Sequence, residues 1–143
     1  MILAGRRLND SMGIHISNEV IKLMIKKKIS VDCSRILILG FTFKENCPDI
    51  RNTKVIDIYN ELISYDVNVD IYDPWANSIE VYNEYGISVL NAIDEKNILQ
   101  TYSVIILAVA HEAFREMNLC TTKKHVIFDV KGLIDIKKID ARL

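Results

Sequence analysis

At 143 residues, half of them apolar, the chain is long enough to bury the core of one globular domain, and it carries no low-complexity tract or internal repeat. Its 18 Lys/Arg against 19 Asp/Glu leave a net charge of −1, so no overall field draws it to nucleic acid or to an anionic bilayer, and neither is expected as a partner. Three scattered cysteines, Cys33, Cys47 and Cys120, suit neither a disulfide framework nor a metal pair; with no apolar run of the roughly 20 residues that span a bilayer and no signal-peptide core in "MILAGRRLND", a reducing, cytoplasmic setting is expected.

Residues 1–28 differ from the rest, holding six Lys/Arg against two Asp/Glu. Within them Met12, Ile16, Val20, Leu23 and Met24 recur at helical spacing, while Ile14, Ile21 and Ile25 widen the apolar surface. The spacing predicts one long helix with more than one neighbour, ended by Lys26, Lys27 and Lys28 at its negative pole. "RILILG" is a short apolar run stopped by glycine, the pattern of a strand buried on both faces of a parallel sheet. Val55, Ile58, Tyr59 and Leu62 then mark a helix face, "VNVDIYDP" a second strand, Ser78 to Tyr85 a short helix, and "GISVL", "SVIILAVA" and "HVIFDV" three more strands. Strands separated by helical segments require right-handed crossovers, so a doubly wound α/β domain with a mostly parallel sheet of about five strands is predicted, preceded by one long helix.

In such sheets ligands sit beyond the carboxyl ends of the strands, which directs attention to Gly40–Arg51, Asp73–Trp75, Ala110–His111 and Lys131–Gly132. A dinucleotide site would need GxGxxG after the first strand, and "GFTFKENCPDIRN" supplies only its first glycine. The loop offers charge instead. Lys44 and Arg51 can reach an anion, and helix-opening amides near Asn52 and Thr53 add positive potential; alternatively Lys44 is solvated and Arg51 pairs with Asp49 or Glu45. Asp73 either holds a ribose or caps the turn with Pro74. Cys47 lies among Lys44, Glu45 and Asp49 and reads as a passive thiol, and His15, His111 and His125 have no metal-ligand spacing. From these residues the reading is an anion-binding α/β domain.

"LGFTFKENCPDIRNTKVIDI", together with "YDPWA", "ILAVAHEAF" and "FDVKGLID", resembles the C-terminal domain of the UDP-glucose/GDP-mannose dehydrogenase family, most closely the branch that oxidises UDP-N-acetylhexosamines for surface polysaccharides. "ILAGRRLNDSMGIHISNEVIKLM" is similar to the end of that family's central helix, so the resemblance divides the chain into residues 1–30, a dimerisation helix, and residues 31–143, a Rossmann-like UDP-sugar-binding domain. It implies a homodimer through the N-terminal helix, and NAD held on a separate N-terminal domain that this chain does not include. The family's thioester-forming cysteine belongs to a glycine-rich motif absent here, and its role does not pass to Cys47. No catalytic residue is therefore expected in this chain, and the chain alone is expected to be inactive.

The resemblance assigns Phe43 and Lys44 to substrate contact and charge neutralisation, Arg51 to ligand contact or to pairing with Asp49, and Lys131 to a position where some relatives carry arginine near the substrate. Arg6 and Arg7 become candidates for reaching a neighbouring subunit's sugar, or remain solvent-facing charges. The alternative reading of the whole chain is a non-catalytic uridine-nucleotide-binding module, or a remnant that folds without a ligand.

Overall fold

The structure, a computed structural model, describes residues 2–32 and 34–143, and side chains from Met12 onward. The side chains of Arg6 and Arg7, and Cys33, lie outside the described residues. The apolar runs become β1 (Arg35–Leu39), β2 (Asn68–Tyr72), β3 (Val104–Leu107) and β4 (Val126–Asp129), and β5 (Ala141–Arg142) completes one sheet in the order β2-β1-β3-β4-β5. Every neighbouring pair is parallel. Leu39 lies opposite Tyr72 and Leu107, and Leu107 opposite Asp129, so four strands end in line and their following loops share one edge. Strand order reverses between β1 and β3, which places the crevice of a doubly wound sheet above Gly40 and Ala108.

Each face of the sheet is covered because each strand is apolar on both sides. One face, including Ile36, Ile38, Ile106 and Phe128, packs under α1 (Ile2–Lys26) and α2 (Val55–Ile63), with Val81 of α3 (Ser78–Tyr85) joining the same core. The other face, including Leu37, Leu39, Ile105 and Ile127, is closed by Ile98 of α4 (Ile98–Thr101) and by Tyr102, Phe114, Met117 and Leu119. None of the described helices is long and apolar enough to cross a membrane.

The long helix spends much of its apolar surface on its own domain. Ile16, Val20, Ile21 and Met24 are buried, which contributes roughly 1.5–3 kcal/mol each before entropy is counted. Met12, Ile14 and Ile25 stay exposed. Close approach of α1 to α2 depends on Gly13, where an added Cβ would stand 2.6 Å from the Asp57 Cβ. Ser17 reinforces the crossing, its hydroxyl 2.8 Å from the Gly13 carbonyl and 3.4 Å from that of Ile58.

One expected strand is not formed. "GISVL" contributes only an isolated bridge between Leu90 and Tyr72, because Asn91 turns the chain back and donates to the carbonyls of Asp73 (2.9 Å) and Ala76 (2.7 Å). The fifth strand is instead the two-residue Ala141–Arg142, too short for any apolar run to mark it.

Candidate functional site

Asp73 follows β2 on the carboxyl edge and is wholly buried. Its Oδ2 accepts from the amides of Phe41 (2.6 Å) and Thr42 (3.1 Å), and its Oδ1 from those of Trp75 (2.7 Å) and Ala76 (3.1 Å). His111, equally buried after β3, adds a fifth donor. Its Nδ1 accepts the Asn46 amide at 2.9 Å, so the ring proton is on Nε2, which faces Asp73 Oδ2 at 2.9 Å and Thr42 Oγ1 at 3.1 Å. Burial pushes the Asp73 carboxyl up, but the hydrogen bonds from His111 and from the Phe41 and Trp75 amides outweigh it and leave the group below its usual range. One carboxylate thus fixes the loops after β1, β2 and β3 at the point where strand order reverses. Nothing in local sequence links Asp73 to His111, and this tie is the part of the site that sequence reasoning missed.

The ribose-holding alternative for Asp73 is overturned, since both oxygens are committed to protein donors; its turn-capping role holds. Gly40 stands where the first glycine of a dinucleotide loop would. It has φ +99°, and a Cβ there would lie 2.5 Å from the Val109 Cβ, so it serves a tight turn and close packing of two strand ends, while the later glycines that let a pyrophosphate approach are missing. The residues at this edge do not fit NAD in the manner of a dinucleotide fold. Among the described residues no group of three or more His, Cys, Asp or Glu is placed to hold a metal ion.

The β1 loop is a closed hoop. The Phe43 amide donates to the Asp49 carbonyl (2.8 Å), the Thr42 hydroxyl to the Lys44 carbonyl (2.9 Å), and Tyr85 Oη to the Ile50 carbonyl (2.6 Å). Asn46, at φ +53°, accepts the Glu112 amide on its side-chain oxygen at 3.0 Å, tying the hoop to the turn after β3. At its tip Phe43 is 54 % exposed and Lys44 is exposed with no ion pair among the described residues. Trp75, 44 % exposed, lies tilted 30° against the His111 ring at 6.3 Å. A half-bare aromatic and an ammonium group on a rigid loop are suited to an anionic, partly apolar ligand.

The other candidates sit apart from that tip. Arg51 pairs with Asp49 through Nε–Oδ1 (3.0 Å) and NH2–Oδ2 (3.2 Å), and this hydrogen bond holds the Asp49 carboxyl below its usual range. Arg51 also borders a depression with Glu80 and Glu84 of α3. Lys131 follows β4, where buried Asp129 accepts the amides of Lys131 (3.1 Å), Gly132 (2.8 Å) and Ile134 (2.6 Å). Its side chain lines a cavity of about 190 Å³ with Lys54, Met12 and Gly13. The carboxyl edge therefore presents Phe43 and Lys44 together, Arg51 turned toward α3, and Lys131 toward α1. Cys47 is half-buried in the hoop and Cys120 is exposed.

A model of the UDP-glucose/GDP-mannose dehydrogenase family, UDP binding domain, matches residues 37–136, which take in every carboxyl-edge loop and leave out α1. Similar proteins include a UDP-N-acetyl-D-glucosamine 6-dehydrogenase of Salmonella typhi, 48% identical over the whole of this chain and 34% of its own length. A protein with the same description from Pseudomonas aeruginosa is 46% identical over the same shares. Among solved structures, an NDP-N-acetyl-D-galactosaminuronic acid dehydrogenase from Methanosarcina mazei Go1 superposes with a TM-score of 0.79 at 19% identity, covering 97% of this chain and 30% of that one, which shows the fold. The chain spans about a third of the length of the curated relatives it matches.

Proposed function

From the premise that this chain belongs to the UDP-glucose/GDP-mannose dehydrogenase family through its UDP binding domain, we propose that it is the UDP-sugar-binding and dimerising portion of an NAD-dependent nucleotide-sugar 6-dehydrogenase. The product is a UDP-hexuronic acid destined for surface polysaccharide. A UDP-N-acetylhexosamine is the favoured substrate class, because the relatives at 48% and 46% identity are UDP-N-acetyl-D-glucosamine 6-dehydrogenases. The observation that carries the reading is the family match across residues 37–136, which contain the rigid loop bearing Phe43 and Lys44.

In this reading Lys44 neutralises charge on the diphosphate and Phe43 packs on the nucleotide sugar, with the Asp73–His111 tie holding both in place before the ligand arrives. Lys131 supplies a second point charge from the neighbouring strand end, and Arg51 takes part by exchanging Asp49 for a ligand oxygen. Residues 1–30 are the end of a dimerisation helix whose exposed Met12, Ile14 and Ile25 meet a second copy, and Arg6 and Arg7 reach that copy's sugar. The NAD and the nucleophilic cysteine of the oxidation come from sequence outside these 143 residues, so this chain alone binds substrate without turning it over.

Titration of the purified chain with UDP, followed by NAD⁺ under the same conditions, tests the proposal by heteronuclear NMR. Saturable UDP shifts over Phe43–Arg51 without a matching NAD⁺ response are expected, and preferential NAD⁺ binding would overturn it. Lys44→Ala is expected to weaken UDP binding by roughly 1–3 kcal/mol, the range for a charge-assisted hydrogen bond; unchanged affinity removes Lys44 from the site.

A further inference from the structure

The tie that joins the carboxyl-edge loops contains a side chain of the one type that ordinarily changes charge near neutral pH. His111 is wholly buried, and its two ring nitrogens are held to opposite tasks. Nε2 must donate, because it faces the Asp73 Oδ2 carboxylate at 2.9 Å and Thr42 Oγ1 at 3.1 Å. Nδ1 must accept, because the Asn46 amide points at it from 2.9 Å. The neutral ring with its proton on Nε2 meets both demands. A second proton can add only at Nδ1, where it would set N–H against N–H and leave the Asn46 amide without its acceptor.

The two sides of the ring thus answer acid in opposite senses. The carboxylate side favours an imidazolium, since a charged donor strengthens the bond to Asp73, while the hoop side excludes one. Asp73 is the ionisable side chain bonded to the ring. Around this pair, Lys44, Glu45, Cys47 and Asp49 lie on the hoop, with Asp49 paired to Arg51, and Tyr72 precedes Asp73. Glu112 follows His111 and pairs with Arg115 at 3.0 Å, and the rings of Trp75 and Phe114 pack on the imidazole without charge. Of the ring's partners, Asn46 is the one able to leave. Asp73 and Thr42 are buried, whereas Asn46 is exposed, sits in the left-handed region at φ +53° and can turn its amide to water.

We propose that His111 is a proton-operated latch on the Phe43–Arg51 hoop: the neutral ring holds the hoop closed through the Asn46 amide, and protonation at Nδ1 releases it. The latch is a property of the free chain; its consequence for a ligand rests on the reading of the hoop as the nucleotide-sugar site. The closed hoop binds fewer protons than the open one, so a ligand that needs Phe43 and Lys44 in place binds more weakly as pH falls. By reciprocity, its binding drives the proton off.

Nitrogen NMR of the imidazoles in the 143-residue chain, from about pH 7.5 to about pH 5, tests the latch without a ligand. His111 Nδ1 is expected to take up a proton with the same midpoint at which the Asn46 amide resonance shifts and its solvent exchange quickens. Trp75, the chain's single tryptophan, lies against the His111 ring and gives a second reading, a fluorescence change at that midpoint. Asp73 stays charged over this range, being held below its ordinary value of 3.8, so the carboxylate is not the group that titrates. A ring that stays neutral down to about pH 5, or one that is protonated while the Asn46 amide does not move, would overturn the proposal. Binding is read with UDP-N-acetylglucosamine, a diphosphate diester whose charge is fixed over the same range. Its affinity is expected to fall about fivefold or more between the two ends of the titration, a coupling of ordinary size, and to lose that dependence in His111→Gln, whose amide accepts and donates without titrating. Undiminished pH dependence in His111→Gln counts against the latch. Absence of UDP-N-acetylglucosamine binding at every pH, with the hoop still opening in acid, overturns the functional reading and upholds the latch.

Discussion

Asp73 and Asp140 take carboxylates largely out of water at opposite edges of one sheet, and the two are accommodated by different chemistry. Asp73, on the carboxyl edge, has no lysine or arginine partner among the described residues; four backbone amides and one imidazole N–H converge on it. Asp140, on the amino edge, is met by the Lys27 ammonium, the Thr121 hydroxyl and a single amide, that of Ile127 at 2.8 Å. Amides belong to the main chain, so satisfying Asp73 prescribes the course of the loops that donate to it. An ammonium on a four-carbon stem prescribes only where one helix ends. The first arrangement is a mould for loops at the edge where a ligand is expected, and the second is a clamp between α1 and the far end of the fold.

Removing the mould is the sharpest way to test that difference. Asp73→Ala strands several buried donors at once and is expected to cost about 3–5 kcal/mol in chemical denaturation, with loss of UDP-induced shifts in the Phe43–Arg51 loop. Cutting the clamp should cost less and leave the loop untouched. Lys27→Met keeps most of the stem volume, and because the pair is partly solvated it is expected to cost roughly 1–2 kcal/mol with unchanged UDP affinity. A matching loss of UDP binding would break the comparison.

Acid separates the two further. The Asp73 carboxyl lies below its ordinary value of 3.8, so the folded state binds fewer protons there than the unfolded state. Its contribution is complete above that value and is lost as pH falls through the depressed folded pKa. The stability gap between the native chain and Asp73→Asn is therefore expected to stay level from about pH 7 to pH 5 and to close below about pH 4. The smallest effect belongs to the cap beside the clamp: Lys28→Gly relieves a left-handed lysine and is expected to stabilise the fold by roughly 0.5–1 kcal/mol, read as a higher melting temperature.

The central strands were legible because burial on both faces leaves an apolar run that needs no context, as in "RILILG" and "SVIILAVA". The helix over Ser78–Tyr85 was legible for a local reason as well: Asn77 accepts the Ile79 and Glu80 amides at its start, and Gly86 takes the left-handed turn at its end. "GISVL" misled because a short apolar segment says nothing about whether a neighbour offers length to pair with. At the site, sequence placed Phe43 and Lys44 on a loop and offered Asp73 as ribose holder or turn cap. Only the fold, by bringing His111 onto Asp73 and Asn46 onto His111, decides between those roles. The run Lys26–Lys28 shows the same limit, since three identical side chains in a row hide the fact that only the middle one meets Asp140.

The clamp has a consequence during synthesis. Lys27 is translated well over a hundred residues before Asp140, and at about 5–20 residues per second the helix waits many seconds for the partner that fixes its end. In that interval Val20 and Met24, which need the assembled sheet, have no surface to cover them. α1 thus emerges from the ribosome with this face bare while Asp140 is still inside the tunnel, and that is the stage at which a chaperone gripping apolar helices would raise the yield.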